Sequence, residues 1–490
     1  MLWLPVWFLV LGALPGPGRT VIESLPVPAE HAWSFELLSN SRYSVHSGFT
    51  DTLPEQVLAN VLWAMNRVPR LGEYRELYVA TGKNVYRYEP ASHGLSIHRI
   101  GDHRYNSGSA FEVGIAAARQ EEVGMAVQAG LLAGTAFRDL ADGRVVSCPM
   151  QWAADYANSN WQPARAVQMV NVYGCASTGP LDTAVVALSS DSSLPTPNVA
   201  GPDSFESVVR NLRQDSAFSQ FGLSLETVSQ LLWAAYGVTP HLSYNNRQGV
   251  TVPTAGGSFQ LTDRIYLVDD AGVGRYQNRL PGTSLATRDH RLERLTASDL
   301  RPELRMASAR IPATAPVYFV VCVGDTASYQ AVEEAGFAAF QLLCQARALG
   351  LAGCLTVPLA RAERRAIASA LGLPTSHYPV LVFSCGEPAA AVDEADSRPG
   401  LVRIVRANPA IRRGRMRLEY WLGQTGDVRV EVFDMLGRPV RLLLEERQST
   451  GYHSVTWDGS AADGRKLKRG TYLVVVFSRG AVAKHKVTLG

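Results

Sequence analysis

The feature that most restricts how this chain can fold is a repeat of domain size, in which four blocks recur in the same order. In the first copy Thr52-Leu-Pro-Glu55 has the capping-box pattern of a helix start, and Val57, Leu58, Val61, Leu62 and Met65 follow at helical spacing. The second copy starts at Leu223-Ser-Leu-Glu226 and runs through Leu231-Leu-Trp-Ala-Ala235. A frame of Asn-Arg, Val-Pro and Gly comes next, as Asn66-Arg67-Val68-Pro69-Arg70-Leu71-Gly72 and again as Asn246-Arg247 with Val252-Pro-Thr-Ala-Gly-Gly257. Each frame leads to an apolar strand, Glu76-Leu-Tyr-Val-Ala80 or Arg264-Ile-Tyr-Leu-Val268, and then to a turn ending in Tyr86-Arg-Tyr88 or Gly274-Arg-Tyr276. Glu121-Glu-Val-Gly124 and Glu333-Glu-Ala-Gly336 then open helices rich in small and apolar side chains. Two related globular halves are expected rather than a solenoid, whose period is far shorter.

At 490 residues the chain exceeds one ordinary core and fits about three domains of roughly 100–200 residues each. Residues 189–202 are rich in Ser, Pro, Asp and Gly, the composition of a connection, and a second boundary is expected at 389–400. The expected organisation is a first half over 21–188, a second half over 203–388 and a small C-terminal module over 401–490. The helix predicted from Glu333 to about Ala348 is apolar or small on nearly every side. It must therefore be buried all round, at the centre of its domain or between the halves.

Composition narrows the function classes. Hydrophobic residues at 46% and charged residues at 19% exclude a disordered or collagen-like chain. A net charge of +3, with no run of Lys or Arg, gives no track for nucleic acid. The uncharged stretch from Met1 to Leu14 meets Pro15-Gly-Pro-Gly18. It has the length of a signal-peptide core and falls short of the about 20 residues of a membrane span. Residues 1–20 are thus expected to be an export signal; the lack of Lys or Arg ahead of them leaves an ordinary buried segment or a misassigned start as alternatives. No later segment is long and apolar enough to make a multi-span membrane protein. Cys148, Cys175, Cys322, Cys344, Cys354 and Cys385 lack zinc-site spacing, so no metal is expected.

The second half, from about Arg210 to Pro388, resembles the nitroreductase superfamily, most closely its thiazole/oxazole-forming dehydrogenase branch. The resemblance is carried by Leu231-Leu-Trp-Ala-Ala-Tyr-Gly237, Val252-Pro-Thr-Ala-Gly-Gly257, Glu334-Ala-Gly336, Arg347-Ala-Leu-Gly-Leu351 and Pro379-Val-Leu-Val-Phe-Ser-Cys-Gly386. The family implies an α+β fold and a flavin mononucleotide (FMN) held at a dimer interface. Two tandem nitroreductase-like halves would supply both walls of that cleft as an intrachain pseudo-dimer.

The resemblance also implies site residues. An Arg-x-Ser segment near the ribityl phosphate is matched by Arg42-Tyr-Ser44, and less closely by Arg213-Gln-Asp215-Ser216, where an acid intrudes. Pro253, Thr254, Ala255, Gly256 and Gly257 would bring backbone close to the isoalloxazine ring. Leu351, Ala352 and Gly353 would lie near the ring edge. The repeat partner Pro69-Arg70-Leu71-Gly72 has lost the small residues, and Glu387 stands where the family commonly has a basic residue. No catalytic acid is assigned, since His241, His290, Tyr244 and Tyr276 read more readily as surface or packing residues.

From Arg403 onward the sequence alternates as in a β-sandwich, with Met416, Leu418, Tyr420 and Leu422, then Val428, Val430 and Val432, then Tyr472, Val474 and Val476. Asn408-Pro409, Val432-Phe-Asp434, Gly451-Tyr-His-Ser-Val-Thr-Trp457-Asp-Gly459 and Gly470-Thr-Tyr472 resemble the immunoglobulin-like module of the flagellar hook-capping protein and of type IX secretion sorting domains. That resemblance implies a periplasmic, cell-surface or secreted protein and secretion machinery as a partner. Two functions stand open: an exported FMN-dependent oxidoreductase that takes a small-molecule substrate and an electron donor or acceptor, or a cofactor-free relative that binds or builds.

Overall fold

The structure is a computed structural model. It describes residues 23–45, 49, 52–137, 144–176, 184, 186–188, 193–219, 222–242, 248–254, 257–279, 287–389, 402–407, 410–411, 416–422, 425–434, 438–449, 451–478 and 481–489. The expected signal segment lies outside them. Residues 1–390 make one compact unit and 391–490 another.

The first half runs β1 (Glu23–Ser24), α1 (Phe35–Ser41), α2 (Glu55–Arg67), β2 (Arg75–Thr81), β3 (Asn84–Glu89), β4 (Gly94–Ile100) and β5 (Phe111–Ala117). It continues with α3 (Gln120–Thr135), β6 (Arg144–Met150), α4 (Trp152–Asn160) and β7 (Met169–Ala176). The second half opens with α5 (Phe205–Arg210), α6 (Leu225–Tyr236), β8 (Val238–Leu242), β9 (Gln248–Val250), β10 (Ile265–Asp269), β11 (Gly272–Gln277) and β12 (Arg291–Thr296). It closes with α7 (Arg301–Ala307), β13 (Val317–Val323), α8 (Tyr329–Ala348), β14 (Ala352–Thr356), α9 (Arg361–Ala370) and β15 (Tyr378–Gly386).

The repeat read from the sequence is a repeat of topology. The first sheet has the order β1-β4-β3-β2-β5-β7-β6 and the second β12-β11-β10-β13-β15-β14, so apart from β1 the two run strand for strand. Every pairing in both is antiparallel. A short β8–β9 ribbon stands apart. Two helix starts differ from expectation. The Thr52 box does not form, because α2 begins at Glu55 after Pro54 with no side-chain cap, whereas Ser224 does cap α6 by accepting from the Thr227 N–H. The start expected at Glu333 lies instead at Tyr329, where the Ser328 hydroxyl accepts from the Ala331 N–H.

The all-round apolar helix is where the halves join. In α8 every residue from Ala331 to Ala346 is buried. It packs on α3 through a glycine pair: a Cβ on Gly124 would fall 2.1 Å from the Glu333 carbonyl oxygen, and one on Gly336 would fall 2.3 Å from that of Glu121. Each glycine thus lets the other helix's backbone approach, at equivalent positions of the two copies. One apolar core runs through both halves, from Leu25 and Val57 to Leu342 and Phe383.

The second unit is all β. Strands β16 (Val402–Ala407), β18 (Met416–Leu422) and β21 (Gly451–Trp457) form one sheet. Strands β17 (Ala410–Ile411), β19 (Gly426–Asp434), β20 (Pro439–Gln448), β22 (Gly470–Ser478) and β23 (Ala481–Leu489) form the other, in the order β17-β23-β22-β19-β20. The alternating residues meet in the core, as Met416, Leu418, Tyr420 and Leu422 with Val428, Val430, Val432, Val474 and Val476. Trp457 is 1% exposed and its indole N–H donates to Ser460 O at 2.9 Å. Asp458 caps the turn through the Ser460 N–H at 3.0 Å, and Gly459 takes a φ of +75°. This Trp-Asp-Gly segment is therefore a structural anchor.

Candidate functional site

A cavity of about 580 Å³ opens between the two halves, within the roughly 300–1,000 Å³ of small-molecule sites. The first half supplies Arg42, Tyr43 and Ser44 after α1, and Cys148, Pro149 and Trp152 around the end of β6. The second half supplies Thr239 and His241 from β8, the segment after β9 and the face of α8 that carries Glu333 and Phe337.

Arg42 is positioned by the end of its helix. Its N–H still bonds Leu38 O at 2.9 Å, while its backbone is already extended. Ser44 then bridges to Ser147, and the Val45 N–H bonds Ser147 O at 3.1 Å, which fixes the segment against β6. Arg42 is 5% exposed. Its guanidinium donates to Ser44 Oγ at 3.4 Å and to the carbonyls of Thr251 and Val250 at 3.5 Å each, all at the long end of the range. No carboxylate among the described residues pairs with it. Burial pushes its pKa down to about 10. A buried cation with such weak partners is costly until an anion joins it, and phosphate suits a guanidinium fork.

The facing loop is held by Thr251. Its N–H bonds Gly237 O at 3.0 Å and its hydroxyl donates to Ala234 O at 2.9 Å. Its carbonyl accepts from Gln128 of α3 at 3.2 Å and from Gln341 of α8 at 3.1 Å, so both halves grip it. Pro253, Thr254 and Gly257 follow along the cavity wall, with the Gly257 N–H on Thr254 O at 3.3 Å and a φ of +68° at Gly257. Ala255 and Gly256 lie outside the described residues. Phe259, also on the wall, has a φ of +49°, which is costly for a bulky side chain and is the kind of strain found at ligand sites.

Glu333 lines the same cavity and is 1% exposed. Neither of its carboxyl oxygens has a hydrogen-bond partner among the described residues, and the buried Thr239 hydroxyl lacks one too. Burial raises the Glu333 pKa to about 8. Among the described residues, a larger cavity of about 810 Å³ in the first half, beside Leu53, Lys83 and Tyr86, is lined by no such unpartnered buried group.

Five of the residues singled out from sequence do not reach the cavity. Arg213 pairs with Asp215 at 2.7 Å and is exposed, as is Ser216. Leu351, Ala352 and Gly353 sit at the start of β14, where Gly353 O accepts from the Asp215 N–H at 3.0 Å. They gather with one another because they occupy the repeat-related position. In the first half the repeat-partner loop is held by Glu122: the Leu71 and Gly72 N–H groups both donate to its Oε2, at 2.7 and 3.1 Å, while Arg75 binds its Oε1 at 3.0 Å.

Among the acid candidates, His290 is buried between Tyr276 at 2.8 Å and Ser229 at 2.7 Å, a packing role. His241 does line the cavity, and Tyr244 lies outside the described residues. Sequence reasoning missed Cys148, Pro149, Trp152 and Phe337, and read Glu333 only as part of a helix. The repeat held a signal for the first two, since Cys148-Pro149 lies at the end of β6 much as Val357-Pro358 lies just past the end of β14.

Residues 215–387 match the model of the Nitroreductase family. They form a nitroreductase-family domain. Residues 414–481 match the FlgD Ig-like domain, within the β unit. No curated protein matches the sequence at a significant level. Among solved structures, a candidate nitroreductase from Anabaena variabilis is 12% identical with a TM-score of 0.50, covering 71% of this chain and 93% of its own. An FMN-dependent nitroreductase from Clostridium difficile is 16% identical, with a TM-score of 0.26 over 39% of this chain and 95% of its own. The Escherichia coli microcin synthetase McbBCD complex is 18% identical, with a TM-score of 0.28 over 37% of this chain and 72% of its own. The Anabaena likeness speaks to fold, and it extends well beyond the nitroreductase-family segment.

Proposed function

We propose that the cavity binds FMN, in one site per chain built from both halves, and that the protein is a flavin-dependent oxidoreductase acting on a small organic substrate. The observation that carries this reading is the meeting, across one cavity, of Arg42-Tyr-Ser44 from the first half with Pro253, Thr254 and Gly257 from the second. The buried and weakly bonded Arg42 would take the phosphate, with the Ser44 hydroxyl beside it. Gly257 keeps the loop backbone close to the cavity, while Phe259, Phe337 and Trp152 offer aromatic surface that excludes water. Once bound, the flavin would supply hydride transfer at its ring nitrogen, and the chain's part is to orient it and shield it.

The two halves are, in this reading, tandem nitroreductase-like domains forming a pseudo-dimer. Their common strand order, the Gly124–Gly336 crossing and the extent of the Anabaena likeness all support it. One flavin and not two is proposed because Arg213, Ser216 and Gly353, the counterparts in the other copy, line no such cavity among the described residues.

Titration of the purified chain with FMN, followed by visible absorption, should reach saturation at one equivalent. Arg42→Ala should weaken binding about ten- to a hundredfold, the loss of roughly 1.5–3 kcal/mol from a charged hydrogen-bonding group. Absence of binding at micromolar concentrations would reject the enzyme in favour of a cofactor-free binding or structural protein. Export is part of the same proposal, resting on residues 1–20 and the FlgD-like module. A reporter fused behind residues 1–20 that stays in the cytoplasm would remove it.

A further inference from the structure

The cavity contains an acid that the function above does not use. Glu333 lies on the stripe of α8 that faces the cavity, between Gln330 and Phe337. Its neighbours are otherwise engaged or separate: Glu334 accepts from the Tyr236 hydroxyl at 2.5 Å, and Glu121 belongs to α3 across the helix crossing. None of these acids, nor Arg42 or His241 on the cavity walls, shifts its titration; burial alone does, to about 8. Burial favours the un-ionised carboxyl, which presents one O–H donor beside one carbonyl acceptor in a single plane. With both atoms unpartnered among the described residues, a buried polar group is left unsatisfied inside the protein, which is costly.

That pattern has a definite complement. A cis –CO–NH– edge, as in an imide, lactam or carboxamide, presents an acceptor beside a donor with matching spacing, and two hydrogen bonds close a planar ring. A cationic ligand would call for the ionised acid, and an anionic group is suited to Arg42 on the same cavity rather than to a carboxyl. We propose that Glu333, buried on the cavity wall with both carboxyl oxygens unpartnered among the described residues, is a ligand-recognition residue that pairs with the –CO–NH– edge of an uncharged planar group in the cavity. Two sources carry that chemistry: the imide edge of the flavin ring, which rests on the function proposed above, and the carboxamide of a second ligand such as a nicotinamide electron donor.

The test uses the full chain and two variants. Glu333→Gln keeps a donor and an acceptor but cannot ionise, whereas Glu333→Leu removes both. FMN affinity is measured by fluorescence titration from pH 6 to 9.5, and nicotinamide is titrated into FMN-loaded protein over the same range. Wild-type affinity for FMN should hold below about pH 8 and fall toward about tenfold per pH unit above it. The Gln variant should show no such fall, and the Leu variant should bind about tenfold more weakly throughout. The same behaviour with nicotinamide, while FMN ignores pH and substitution, would place the edge on the second ligand. Indifference of both probes would overturn the pairing while leaving flavin binding intact. Failure of the wild type to bind FMN at any pH would instead overturn the function above. The acid is then judged by infrared difference spectra of wild type against Glu333→Gln, in which a protonated-carboxyl band should be present at pH 7 and lost at pH 9.5. Its absence at pH 7 overturns the proposal.

Discussion

Arg42 and Glu333 show how one cavity sets two side chains of opposite charge type against the same penalty. Burial disfavours the ionised form of each, lowering Arg42 to about 10 and raising Glu333 to about 8. For Glu333 the sign of the linkage is definite. The unfolded chain gives up this proton near 4.5, so between there and about pH 8 the folded protein holds the extra proton. The stability tied to that proton is full below pH 4.5 and is lost as pH rises through 8. Glu333→Gln cannot titrate, so its advantage over wild type in urea unfolding should widen from pH 5 to pH 8.5, by at most about 4 kcal/mol. Parallel pH profiles would show that burial does not hold the proton. Of the two residues, only Arg42 was legible as a site residue in the sequence, because Arg-x-Ser is a local pattern. Nothing local to Glu333-Glu-Ala-Gly336 tells which acid faces a cavity and which meets Tyr236.

At the scale of elements, periodicity and composition carried most of the fold. The strands at β2 and β10, the helix at α3 and the alternating strands of the β unit all lie where their patterns place them. Helix starts were less legible, because a capping box needs the backbone to turn at the right residue. Ser224→Ala should therefore cost about 1 kcal/mol of stability, while Thr52→Ala, ahead of an α2 that begins at Glu55, should cost almost nothing. Equal losses in chemical denaturation would mean that Thr52 caps its helix after all. The α3–α8 crossing makes a sharper demand. Gly124→Ala would press a methyl against the Glu333 carbonyl, a backbone atom that cannot swing aside. Destabilisation by about 1–3 kcal/mol is expected, and Gly336→Ala should do the same. A variant as stable as wild type would show that the helices sit farther apart.

At the scale of the whole molecule, the two halves share one core and the β unit has its own. A chain ending at residue 390 should keep the unfolding midpoint of the first unit. Residues 203–390 alone should fail to give soluble folded protein, because α8 would expose the apolar face it buries against α3. A soluble, cooperatively folded fragment would separate the halves.

The sequence by itself determined that there are two related α+β halves and a β-sandwich module, and which helix is buried on all sides, and it singled out Arg42-Tyr-Ser44 and the 253–257 loop as candidates for a site. Those follow from local pattern and from repetition, which a single chain carries along its length. Only the tertiary structure decided which motifs share a cavity. Arg213, Ser216 and Gly353 lie with each other, away from the Pro253 loop of their own half, while Arg42 and Cys148 come to that loop from the other half. The reason is the glycine crossing of α3 and α8, which joins the halves so that each cavity wall comes from a different copy. Burial of Glu333 is likewise a property of the joined pair, and no stretch of sequence states it.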